Sequence, residues 1–197
     1  MKKLLYAYVL ILSSYSFGQI PKYTSNAIDL DLSTSSVYSE FQNGYEVIFS
    51  LNLSSYWQKR ENYQILVFDE GTWKIINWSH KRINPNNPKI RRKRKKVRAI
   101  DSKKVNEFLE LVDSVKFFHL HNDSLNWNEK YLNDGSVLKT SVLDGHTHEF
   151  QIISQYGFFT LQASNPERLQ EFIAVEQRKI FLKIENEFLD LFADISD

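Results

Sequence analysis

Residues 45–53 constrain the fold more than any other stretch: Tyr45, Val47, Phe49, Leu51 and Leu53 alternate with Glu46, Ser50 and Asn52. A period of two is the signature of a half-buried β-strand, because successive side chains leave opposite faces of the backbone. Asn43-Gly44 just before it tolerates positive φ and predicts a tight hairpin with a strand over residues 37–42. Glu70-Gly71 predicts a second hairpin, residues 63–69 with 72–78, placing Phe68 opposite Trp73 and Tyr63 opposite Trp78. Asp144-Gly145 signals a third, residues 137–143 with 146–153, setting Ser141 opposite His148, and residues 156–163 read as a further strand.

Helical spacing appears twice. After Asp101-Ser102, suited to capping, Val105, Phe108, Leu109, Val112 and Val115 form one apolar stripe. Ser164-Asn165-Pro166-Glu167 opens a second, long helix with room for a break, whose stripe runs Leu169, Phe172, Ile173, Ile180, Phe181, Ile184, Phe188 and Phe192. Two helices and several hairpins each have one apolar face to cover. The expected fold class is therefore α+β, a mostly antiparallel sheet built from consecutive hairpins with two helices packed on it.

The chain opens with Lys2 and Lys3, an apolar run over residues 4–12, and Ser16-Phe17-Gly18 before Gln19, the pattern of a cleaved secretory signal peptide. Nine apolar residues fall short of the ~20 needed to span a hydrocarbon core. The Ser-Phe-Gly-Gln ending, with a composition heavy in Lys, Asn, Ile, Tyr and Phe, resembles the signals of small exported proteins of Bacteroidota-type bacteria; the resemblance covers the signal alone. The predicted organisation is a signal over 1–18, a flexible linker over 19–34 and one domain over 35–197, periplasmic or secreted, with no transmembrane segment in the mature chain. With no cysteine, neither a disulfide framework nor a lipid-anchored cysteine is possible.

Charge is unevenly placed. Losing Lys2 and Lys3 takes the net charge from +1 to −1, and the eight cations of residues 89–98 leave everything else at −9. Lys89, Arg91, Arg92, Lys93, Arg94, Lys95, Lys96 and Arg98 would attract an anionic partner through a salt-sensitive field. Export points to an anionic envelope polymer or an acidic protein and disfavours nucleic acid, and the run has no aromatic residue on which bases would stack. A plain solvated loop or an edge strand guarded by lysines fits the same residues, as does packing against Glu185, Glu187 and Asp190.

Two His-x-His pairs, His119/His121 and His146/His148, carry the other candidate chemistry. Imidazoles at i and i+2 of a strand share a face and can ligate one zinc, with Asp123, Asp144 or Glu149 as added ligand or base, which would make a zinc-dependent hydrolase. Ordinary polar strand or loop positions explain them more simply. Tyr56-Trp57 and Trp127 with Tyr131 offer flat surfaces to sugar rings, although aromatic side chains more often fill cores. The Asn/Asp-rich residues 122–135 fail the calcium-loop pattern, since Leu125 stands where a ligand is required. There is no Gly-x-Gly, no Gly-x-Ser-x-Gly and no His-Glu-x-x-His, which excludes the dinucleotide fingerprint, the nucleophile elbow and the helical zinc motif. The reading that results is a non-enzymatic binding module without a cofactor, with zinc hydrolysis or an immunity-like, partner-capping role as alternatives.

Overall fold

The computed structural model describes residues 20–26, 35–82, 93–141 and 145–193. Residues 1–18, expected to be a signal, and Lys89, Arg91, Arg92 and Asp144 lie outside them. In chain order the elements are α1 (Ser36–Phe41), β1 (Val47–Ser55), β2 (Arg60–Asp69), β3 (Thr72–Lys81), β4 (Arg94–Ala99), α2 (Ser102–Ser114), a 3-10 turn (Phe117–His119), α3 (Asn122–Leu125), β5 (Glu129–Tyr131), β6 (Val137–Lys139), β7 (His146–Ser154), β8 (Gly157–Ser164), α4 (Pro166–Phe172) and α5 (Glu176–Asp190). Six strands form an antiparallel sheet in the order β4-β3-β2-β1-β7-β8, and β5-β6 is a separate ribbon. No helix is long and apolar enough to cross a membrane among the described residues.

The β2–β3 hairpin has the expected register, with Phe68 opposite Trp73 and Tyr63 opposite Trp78. Glu70 (φ 48°) and Gly71 (φ 77°) both take positive φ, the turn whose twist matches antiparallel strands. Residues 37–42 are not a strand. Residues 37–41 belong to α1, with Gln42 as its C-cap; there the Ser35 hydroxyl accepts the Tyr38 N–H as an N-cap and Val37 and Phe41, four apart, are buried on one face. The predicted third hairpin is also replaced. β6 pairs with β5, while β7 pairs with β1 and β8, so His148 lies opposite Leu53 and Ala163 rather than Ser141. Residues 137–139 are exposed throughout, so no apolar face holds them to the main sheet.

Helices α2 and α5 cover one face. Val105, Phe108, Leu109, Phe181, Ile184 and Phe188 pack with Phe49, Leu51, Leu66, Ile75, Phe150, Ile152 and Leu161 in a single core. The predicted long helix is two: Ile173 leaves helical backbone (φ −144°, ψ 118°) and α5 restarts at Glu176. A smaller cluster occupies the opposite face, where α1 lays Val37 and Phe41 over Ile48, Ile65, Val67, Ile76 and Trp78.

The two edges of the sheet differ. Residues 20–26, expected to be linker, lie along β8 with Tyr23 buried and its hydroxyl donating to the Gly157 carbonyl. Asn26 exchanges both hydrogen bonds with the Thr160 backbone, and Ser25 donates to the Phe158 carbonyl. Further along, Asn122 accepts the Gln162 N–H, and Asn126 donates to the Gln162 carbonyl while accepting the Ser164 N–H. Side-chain amides thus occupy ladder positions that a neighbouring strand would fill. On the opposite edge, all six residues of β4 are exposed.

Candidate functional site

Strand alternation sorts the basic run. Lys96 lies opposite Asn77 and Arg94 opposite Ser79, on the face that carries the helices; Lys95, opposite Trp78, faces the other way. There Lys95 Nζ sits 4.9 Å from the Phe41 ring centre and Lys93 pairs with Glu40, so α1 holds both. Of the acidic residues considered as a packing surface for the run, Glu185 is instead buried against His148. Lys89, Arg91 and Arg92 are beyond the described residues.

On the helix-bearing face, the rows Phe68/Trp73 and Leu66/Ile75 give way to Gln64/Asn77 and Asn62/Ser79. Where the apolar rows end, a cavity of about 530 Å³ opens, whose lining includes these four polar residues, Leu53, Gln58 and the β4 residues Arg94, Lys95 and Lys96. Arg60 donates to the carbonyl and hydroxyl of the lining residue Ser79 at 3.0 Å. The Gln58 side-chain oxygen is buried with no hydrogen-bond partner among the described residues. Beside Gln58, Tyr56 and Trp57 are 76% and 68% exposed and meet edge to face at 5.1 Å. Amides, cations and exposed rings share one end of the sheet. Trp127 and Tyr131, by contrast, both bond to Glu129, Trp127 to its carbonyl and Tyr131 to its carboxylate.

Among the described residues, only one of the four paired histidines enters a cluster. His119, His121 and His146 are exposed, whereas His148 is buried beneath α5. Its Nδ1 lies 2.9 Å from both oxygens of buried Glu185, and Nε2 is 3.8 Å from Glu167 Oε2. Burial works against the imidazolium, but the Glu185 hydrogen bond and charge, with Glu167 adding, outweigh it and raise the His148 pKa. Glu149, considered as a base beside His148, points to the opposite face by alternation, where it accepts a hydrogen bond from Gln151. Asp123 lies exposed in α3.

The fifth histidine was not a candidate in the sequence, yet it too is buried. His80 stacks on Tyr63, and its Nε2 lies 3.4 Å from Glu61 Oε2, to which the Tyr63 hydroxyl donates. Burial first, and then the Glu61 charge, push the Tyr63 pKa up. His80 pairs with Glu61 in the β2–β3 register, two residues beyond the Tyr63–Trp78 pair and just outside the predicted hairpin residues 63–69 and 72–78. Glu185 also left a trace, a carboxylate on the same helical stripe as Phe181 and Phe188.

Neither a protein-family model nor a curated protein matches this sequence.

Proposed function

We propose that this protein is an exported, non-enzymatic binding module that takes an anionic polymer of the cell envelope at the β4 end of its sheet. The observation that supports the reading is the shared cavity: Arg94 and Lys96 stand beside Asn62, Gln64 and Asn77 in one concave surface of about 530 Å³. Two guanidinium or ammonium charges supply attraction and steering, and amides arranged on rigid strands supply directional hydrogen bonds to hydroxyl, carboxylate or sulfate groups. Tyr56 and Trp57 add exposed ring faces next to Gln58, the form of platform on which a sugar ring rests. Lys93 and Lys95 are engaged by α1, so the proposed contact surface is narrower than the basic run itself.

The test is binding to an immobilised sulfated glycan, heparin, and to an uncharged dextran control across a salt series. Binding should weaken linearly in log affinity against log salt. Arg94→Ala/Lys96→Ala should reduce that slope by about two, since each neutralised anion contributes roughly one. Lys93→Ala should leave it within experimental error of the parent. Equal slopes for the parent and the double variant would remove this reading, and capture of an acidic protein in place of glycan would redirect it.

A further inference from the structure

We propose that His148 and Glu167 form a zinc-binding site at the junction of β7 and α4, with Glu185 as the carboxylate that orients the imidazole. It lies beyond the anion-binding surface and stands on different residues. Each of the three side chains offers a ligand atom within 4.8 Å of the others, and they are the one such group of three His, Cys or acidic residues among the described residues.

The arrangement has the order that metal-ligating histidines favour. One ring nitrogen, Nδ1, is engaged by a carboxylate that fixes the tautomer and orientation. The other, Nε2, makes no hydrogen bond among the described residues and faces Glu167 Oε2 at 3.8 Å. That separation is too long for a hydrogen bond, yet an ion held ~2.1 Å from each donor bridges it with a bent angle. His148 is only 6% exposed, so its ring is held in place by packing, whereas the Glu167 side chain is 58% exposed and opens the site to entering ions and to water as further ligands.

Backbone geometry explains why these groups meet. Asn165 adopts left-handed backbone (φ 48°) at the end of β8, and its Oδ1 accepts the His146 N–H at 2.7 Å. The start of α4 is thereby clipped to the start of β7, bringing Glu167 over His148. Gly145 makes the clip possible, because a Cβ there would collide with the Asn165 side chain.

Charge favours a divalent ion. Two carboxylates around a single imidazole leave a net charge of −2, or −1 when the ring is protonated, and a divalent cation neutralises the set. Imidazole with carboxylate oxygen suits zinc among the common ions, better than calcium or magnesium, which prefer all-oxygen shells. His146 is not among the ligands, and that separates this site from one built on the His-x-His pair.

Calorimetric titration of the metal-free, untagged chain with zinc chloride tests the assignment. One zinc should bind per chain. Glu167→Gln should weaken binding at least tenfold, and Glu185→Gln by about 10–100-fold through the lost orienting contact. His146→Ala should bind as the parent does, and so should Glu171→Gln, an equal charge change on an exposed position of the same helix. Glu167 is largely exposed, so its variant should keep the parental circular dichroism and melting temperature. Imidazole nitrogen NMR should show zinc shifting His148 Nε2 and no other histidine. The proposal is overturned if the parent takes up no zinc, if Glu167→Gln binds equally well, or if His146→Ala abolishes binding.

Discussion

Arg178 shows how much one buried side chain can organise. It has no exposed surface, and its guanidinium donates to the carbonyls of Leu125, Trp127 and Ile173, tying α3, the following loop and the break before α5 to one point. Arg178→Met keeps much of the volume but leaves three carbonyls without donors, and should cost on the order of 3 kcal/mol or more in urea unfolding. Glu149 is the opposite case, a carboxyl whose pKa is raised, chiefly by burial and further by the Glu61 charge, against a partial offset from Gln151. The folded protein therefore holds that proton more tightly than the unfolded chain. Its contribution to stability is fully present below the ordinary value of 4.5 and is lost as pH rises through the raised one. Glu149→Gln should accordingly be more stable than the parent at neutral pH, with a flatter plot of urea midpoint against pH between these limits; an unchanged slope would count against the shift.

Local signals and tertiary packing contributed differently to the elements. The β2–β3 hairpin was legible because turn chemistry, alternation and the aromatic pairs Phe68–Trp73 and Tyr63–Trp78 all favour one register. In α1 the signals conflict: Val37 and Phe41 fit both a period of two and a spacing of four, and the Ser35 cap decides for the helix. Ser35→Ala should thus destabilise the protein by about 1 kcal/mol. Phe41→Ala, which empties the space beside Trp78 (ring centres 5.2 Å apart), should cost about 3–5 kcal/mol and alter tryptophan fluorescence. Gly145 misled as a turn signal because its role is closeness to Asn165, a residue twenty positions on. The candidate sites were legible only in part for a related reason. The cations of β4 announce themselves, but which of them share a surface depends on strand parity, and the His148–Glu185 contact joins residues 37 apart in sequence.

At the scale of the whole molecule, the sheet has two differently clothed faces and two unlike edges. The helix-bearing face holds the larger core and the β4 cavity, while the second face passes from the apolar floor beneath α1 to the Glu61, His80 and Glu149 region. Along β8, the amides of Asn26, Asn122 and Asn126 stand in for a seventh strand. Asn122→Ala/Asn126→Ala should therefore speed hydrogen exchange at the Gln162 and Ser164 amides while leaving exchange at the centre of β1 close to that of the parent. A consequence follows for symmetry. Between the edges of the main sheet, among the described residues, backbone pairing of two copies would set β4 against β4, a two-fold arrangement that uses up that edge of both partners. Any association of this kind closes at a pair and cannot propagate into a fibre.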